Sequence, residues 1–444
     1  MDADLEEVRR QVLEQMEGTR EVSDEQLRMK ISVQTGKYGQ EHLLSLQERM
    51  KMEKQVFDSL RRLDVLQELM DYVDVTEVMV NGSGHIFYER AGSLHLWDKH
   101  FSSRERLEGV IQQIAAYTNK TVNEAEPIAD TRLADGSRVN IILPPASLEG
   151  PCITIRKFAQ NPVTLKRLVE LSSISEEIRK VMELLVSAGY NIFVSGGTGS
   201  GKTTFLNALS GAIPENERVV TIEDSAELQL FGVKNLVRLE ARSANANGVG
   251  EITIRALIRT SLRLRPDRIL VGEVRGPEAL ELLQANNTGH DGGMSTGHGN
   301  SCKDMLSRLE TMVLMGMDLP LPAVRGQIAS GIDILVHLGR MRDRSRKVLQ
   351  ICEMDGVHGG EIRLHSLYQF EEEMENPATD TKISNYITKQ DGEGVYQQPV
   401  TGIWKRVGTL KNREKLRQKG LDARLDEIYG NKEASEQTGK TSAQ

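Results

Sequence analysis

The rhythm of apolar and polar positions changes twice along the chain, near residue 61 and near residue 166. Residues 1–60 are charged and helix-prone, and Leu46, Met50, Met52 and Phe57 are too sparse there for a large core. That pattern predicts a helical N-terminal arm, mobile in its plainest reading; no heptad persists to make it a coiled coil. Residues 61–165 read differently. VTEVMVN, HIFYER and SLHLW are short alternating runs parted by GSG and AG, which predicts a strand meander. RLEGVIQQIAAYT follows with helical spacing, and SRVNIILPP and CITIRKF supply further strands. A small α+β domain with an antiparallel sheet is expected.

AQNPVTLKRLVELSSIS links this region to residues 166–375, where NIFVS, RVVTI, RILVG, DILVHL and VLQICEM alternate with amphipathic helices. Strands alternating with helices imply βαβ units and a mostly parallel sheet, so the fold class is α/β with the smaller α+β domain in front. Residues 376–444 form a C-terminal extension, and its last stretch, NKEASEQTGKTSAQ, is polar and expected to be disordered.

Composition sets the bounds. A chain of 444 residues can hold two domains with appendages. The net charge of −8 argues against a protein that coats nucleic acid through a general positive field, and no stable nucleic-acid partner is expected. Cys152, Cys302 and Cys352 are few and scattered, which suits a reducing compartment and no disulfide framework. MDADLEEVRRQVLEQ is unlike a signal peptide, and no apolar run approaches the roughly 18 to 20 residues that span a bilayer. A cytoplasmic protein is expected, with any membrane association peripheral.

The chemistry concentrates in GGTGSGKT, residues 196–203, which fits G-x-x-x-x-G-K-[ST]. It follows an apolar strand, NIFVS, and precedes a helix, TTFLNALSGA, as a phosphate loop must. Gly196, Gly197, Thr198, Gly199, Ser200, Gly201, Lys202, Thr203 and Thr204 are the nucleotide-binding candidates. Small residues let backbone N–H groups point at phosphate oxygens, and the helix N-terminus adds its dipole. Lys202 would reach the β and γ phosphates of ATP, and Thr203 would offer its hydroxyl to Mg²⁺. Hydrolysis also requires carboxylates. RILVGE ends on Glu273 and RVVTIED on Glu223 and Asp224, so acids stand at two strand ends, where open parallel sheets bind ligands. One can lie on the Mg²⁺ side while the other activates water; Glu273 is the Mg²⁺ candidate, and the spacing alone leaves the base unassigned.

NTGHDGGMSTGHGNS, residues 287–301, should return to the same sheet end. His298 there can donate to the γ-phosphate, with His290 ordering the loop. The alternative is a metal site using His298, Asp291 and Cys302, although no paired cysteine or His-x-x-x-His supports it. In the first domain, ADTRLADGSRVN predicts a hairpin turning at Asp135-Gly136. A three-residue loop with Gly136 left-handed sets Arg132 opposite Arg138, an arrangement that like charges disfavour unless an anion sits with them. GRMRDRSRK, residues 339–347, is the dense basic run, read as a solvated hairpin or as a contact for acidic lipid or an acidic partner loop.

FVSGGTGSGKTTFLNAL, TIEDSAELQL, RLRPDRILVGEVRGPEAL and NTGHDGGMSTGHGNS together resemble the Walker A, Asp-box, Walker B and His-box segments of the type II/IV secretion traffic ATPases. Within that family the chain is similar to the CpaF-type motors of tight-adherence (Flp) pilus assembly, and VTEVMVNG and EPIADTRLADGSRVN resemble the family's N-terminal domain. The resemblance implies a RecA-like P-loop core, a Mg-dependent ATPase and a homohexamer working beneath an inner-membrane platform protein. By position it makes Glu223 the water-activating carboxylate, Glu273 the Mg²⁺-side acid and His298 the γ-phosphate sensor. It also implies that Arg132 and Arg138 close over the phosphates. Gly297 and Gly299 depart from the family, which has a bulkier residue and an alanine there, and extra glycine suggests a looser backbone. RSANANGVGEI departs too. Two other functions stay open: a nucleic-acid translocase or DNA-export ATPase on the same core, and a nucleotide-gated scaffold that does not hydrolyse.

Overall fold

The computed structural model describes residues 2–430 apart from 17–21, 91, 119, 159–162, 243, 245–248 and 374–399. The chain divides into two units, Met1–Gln160 and Asn161–Gln444.

The first unit begins with α1 (Asp2–Glu14), α2 (Asp24–Glu41) and α3 (Leu46–Arg61). These helices are packed together and do not form a mobile arm. Val8, Val12, Leu27, Ile31, Tyr38, Met52, Val56 and Phe57 are buried as one cluster, two or more from each helix. Leu46 and Met50, by contrast, are 68% and 61% exposed. Both α2 and α3 start with a capping box, Ser23 with Gln26 and Ser45 with Glu48, which satisfies end N–H groups and fixes where each helix begins.

Next come α4 (Leu66–Asp71), β1 (Val75–Asn81), β2 (His85–Arg90), β3 (Ser93–Leu96), α5 (Arg104–Tyr117), β4 (Ile128–Arg132), β5 (Arg138–Ile142) and β6 (Cys152–Arg156). The strands form an antiparallel sheet in the order β3-β2-β1-β6-β5-β4. Alternation puts Val78, Val80, Val139, Ile141, Ile153 and Ile155 in one core with Leu107, Ile111 and Ile114 of α5. The residues between them, Met79, Asn140 and Thr154, lie together on the opposite face.

In the second unit α6 (Leu165–Glu170) and α7 (Glu176–Ala188) lead into β7 (Ile192–Gly196), α8 (Lys202–Ser210), β8 (Arg218–Glu223) and β9 (Asn235–Glu240). The chain continues through α9 (Ile254–Ser261), β10 (Arg268–Val271), α10 (Glu278–Asn287), β11 (Met294–His298), α11 (Cys302–Gly316) and α12 (Leu321–Gly331). Then β12 (Ile334–Arg340), β13 (Arg346–His358), β14 (Glu361–Glu372), β15 (Gly402–Arg406) and α13 (Glu414–Gln418) complete it. The strand order is β15-β14-β13-β12-β7-β11-β10-β8-β9. From β12 to β9 every pairing is parallel, and β13 to β15 are added antiparallel. Two buried clusters cover the faces of the sheet, which is why β7 and β10 are apolar almost throughout. This is an α/β, RecA-like P-loop core.

Part of the C-terminal extension belongs to that core. β15 pairs with β14, and Leu410, Leu416, Leu425 and Tyr429 are buried with the side chains of α7. The polar tail lies outside the described residues. Among the described residues no helix is long and apolar enough to cross a membrane.

Candidate nucleotide site

The phosphate loop runs from the end of β7 into the start of α8, at the carboxyl edge of the parallel strands. Its backbone is built for glycine at particular points. Gly199 and Gly201 have φ of +70° and +93°, and a Cβ on Gly196 would stand 2.6 Å from the Leu338 carbonyl oxygen. Lys202 opens α8 and is buried, its ammonium donating to the carbonyls of Gly196 at 3.1 Å and Gly197 at 3.0 Å. Burial lowers its pKa, while the charge of Glu273 opposes that shift. Thr203 follows at the second helical position, and Thr204 after it, in the turn whose N–H groups have no intrahelical acceptor.

Glu273 lies just beyond β10. Its Oε2 accepts from Arg275 Nη2 at 2.8 Å, and its Oε1 lies 2.9 Å from His298 Nε2, at ion-pair distance but outside hydrogen-bond alignment. Burial pulls the Glu273 pKa up, but Arg275, His298 and Lys202 outweigh it and hold the carboxyl below its ordinary value. His298 ends β11 in register with Gly196 of the loop. Burial first, then the charge of Lys202, lowers the His298 pKa. Lys202, Glu273 and His298 thus meet at the ends of three neighbouring strands, as their order in the sheet requires.

Glu223 is brought to the same edge, but not as an open base. It is 3% exposed, and its carboxylate accepts the backbone N–H of Glu227 at 2.5 Å and of Leu228 at 2.7 Å. Burial drives its pKa up to about 7 against those two bonds, which favour the charged form. A Cβ on Gly272 would come 2.8 Å from Glu223 Cγ, so glycine there makes room for this side chain. Glu223 therefore anchors the 224–228 loop. That loop presents two acids, the exposed Asp224 and the half-buried Glu227; the pKa of Arg275 is raised first by its hydrogen bond to Glu273 and further by the charges of Asp224 and Glu227. No sequence signal separates Glu227 from Glu223, because the deciding bonds are made by main-chain N–H groups.

Residues 61–408 match the family described as type II/IV secretion system protein. The chain belongs to that family. A putative conjugal transfer protein of Mycobacterium tuberculosis is 33% identical over 301 residues, covering 66% of this chain and 85% of that protein. The type IV secretion system protein PtlH of Bordetella pertussis is 33% identical over 321 residues, covering 66% of this chain and 95% of that protein. The Legionella pneumophila ATPase DotB, a solved structure, is 20% identical with a TM-score of 0.46 over 65% of this chain and 79% of its own.

Arg132 pairs directly with Arg138, through a loop in which Leu133 bonds Ser137 and Gly136 has φ +88°. Arg156 on β6 extends the row beyond Arg138, a neighbour that sequence reading missed because β6 is distant in the chain. Arg138 also lies 3.5 Å from Asp130. At Gly297 a Cβ would come 2.9 Å from Phe193 and 3.1 Å from Met305. Glycine there answers a packing demand, which corrects the expectation of a loosened backbone. The metal reading of the His-box finds no support: Asp291 pairs with Lys415 at 2.7 Å and Cys302 is buried. Among the described residues no group of three or more His, Cys, Asp and Glu side chains could hold a metal. His290 Nδ1 is buried without a partner, so it does not order the loop through that atom.

Proposed function

We propose that this chain is a Mg-dependent ATPase that powers pilus assembly or protein secretion from the cytoplasmic side of a membrane. It works as a homohexamer on an inner-membrane platform protein, and within the family it is of the CpaF type that serves tight-adherence pili. One observation carries the reading: Lys202 of a complete phosphate loop faces the Glu273–His298 pair across adjoining strand ends.

The residues fit a magnesium ion held with ATP. Glu273 Oε1 is buried and without a hydrogen-bond partner, which suits a water of such an ion, and Thr203 has a hydroxyl at the helix start. Bound there, the ion would neutralise phosphate charge. The chain's own groups do the rest. N–H groups of the loop and of α8 cradle the phosphates, and Lys202 exchanges the carbonyls of Gly196 and Gly197 for phosphate oxygens. Glu227, on the loop that Glu223 anchors, orients and deprotonates the attacking water. Arg132 and Arg138 place positive charge on the γ-phosphate.

The decisive experiment is phosphate release by the purified full chain. Lys202→Ala should abolish turnover and weaken ATP binding, since the charge on the transferred group is gone. Unchanged turnover in that variant would remove the reading. A second reading, export of DNA, is favoured by the conjugal-transfer names of relatives. Stimulation of turnover by single-stranded DNA would select it; stimulation by a polytopic membrane protein in acidic liposomes would select the first.

A further inference from the structure

The basic run 339–347 is not simply a solvated hairpin. β12 and β13 set Arg340 directly opposite Arg346. Arg346 Nε donates to the Gly199 carbonyl at 2.9 Å, and its Cδ lies 3.3 Å from where a Cβ on Gly201 would stand. Arg340 Nη1 lies 3.8 Å from the corresponding point on Gly199. Both guanidiniums therefore flank the phosphate loop, and Arg346 lies across it. A carbonyl uses one of the five N–H donors of an arginine. No carboxylate pairs with Arg346 among the described residues, so its charge and its remaining donors are uncommitted beside the loop. Two arginines opposed in a sheet are destabilising on their own, and an anion between them reverses the sign.

The side of the loop they occupy identifies the anion. The sheet runs β12-β7-β11-β10-β8, so Glu273 and Glu223 stand on one flank of β7 and the arginine hairpin on the other. On the reading proposed above, the γ-phosphate faces the acids and His298. The opposite flank then faces the part of the nucleotide that is not transferred. We propose that Arg340 and Arg346 bind the diphosphate portion common to ATP and ADP. Arg346 is in addition a positioning residue: by holding the Gly199 carbonyl it fixes the 199–200 peptide in the loop.

The inference rests on the nucleotide reading and deepens it. Equilibrium binding of a fluorescent ADP to the full-length protein tests it, alongside steady-state turnover. Arg346→Ala and Arg340→Ala should each weaken ADP roughly tenfold to a hundredfold, the scale of a hydrogen bond to a charged group. The ATP concentration for half-maximal turnover should rise by a larger factor than kcat falls, because ground state and transition state lose the contact equally. Arg346→Lys should recover part of the affinity, since an ammonium still reaches a carbonyl or phosphate as a point charge. Unfolding midpoints without nucleotide identify a variant that merely misfolds, and Arg346→Gln then takes its place. ADP affinity within twofold of wild type in both alanine variants would overturn the proposal. So would unchanged ADP affinity combined with lost retention on phosphatidylglycerol vesicles, which would make the hairpin a lipid contact. A wild-type protein that binds neither ATP nor ADP would instead overturn the underlying function.

Discussion

His298 Nε2 stands 2.9 Å from Glu273 Oε1, which sets the histidine beside the acid at the ends of adjacent strands. The sequence suggested a histidine aimed at the γ-phosphate; its Nε2 faces the carboxylate proposed to lie on the magnesium side. On the proposed function, a histidine so placed would respond to the nucleotide through Glu273 as well as directly.

His298→Ala should therefore lower kcat by roughly 10², the scale of one lost donor at a developing charge, while sparing ADP affinity. The pH dependence follows from its environment. Burial and Lys202 depress its pKa below the usual 6.5, so the ring is neutral from there upward. Titration of His298 should leave turnover unchanged above pH 6.5 and lower it only at more acid pH. A comparison of the pH–rate profiles of wild type and His298→Ala checks this. Stoichiometric zinc in the wild type, lost in the variant, would contradict it.

Glu223 makes a prediction about stability. Its pKa is raised on folding, to about 7 from 4.5, so the folded state holds the proton more tightly than the unfolded state does. The stabilising contribution is complete below about pH 4.5 and is lost as pH rises through 7. A shift of this size is worth on the order of 3 kcal/mol across the window. Thermal midpoints measured between pH 5 and 8 should fall for wild type, and the fall should be shallower for Glu223→Gln. Glutamine offers one carbonyl to two N–H donors, so that variant should also loosen the 224–228 loop at every pH. If Glu227 is the base, Glu227→Gln should cost far more turnover than Glu223→Gln at an equal unfolding midpoint.

Arg132 and Arg138 share one sheet face in direct register. Arginine supplied to a transferred phosphoryl group is worth roughly 10³ to 10⁵ in rate in other enzymes. Arg132→Ala and Arg138→Ala should each lower turnover at saturating ATP by at least about tenfold, with hexamer formation checked by light scattering. Wild-type rates in both would leave the pair as a solvated hairpin.

What the sequence revealed, and what it hid, follows the range of the interactions. The phosphate loop is legible because eight contiguous residues, Gly196 to Thr203, carry both its chemistry and its backbone demands. The Arg132–Arg138 register is legible because a short hairpin with a left-handed Gly136 determines it. The N-terminal bundle escaped because Val8, Leu27 and Val56 contribute to one core from three separate helices, none of them apolar enough alone. The role of Glu223 escaped because its partners are main-chain atoms. Arg346 escaped because Gly199 reaches it only when β12 lies beside β7. The extension, read as an appendage, hides its contribution in Leu416 and Leu425, which matter only once folded back onto α7.

The close fit around Gly297 has an evolutionary consequence. Phe193 and Met305 occupy the volume that a side chain at 297 would need. A bulkier residue can be accommodated there only if one of those two neighbours shrinks or shifts in company with it. The three positions should therefore vary as a set, and a lone enlargement at 297 should be disfavoured.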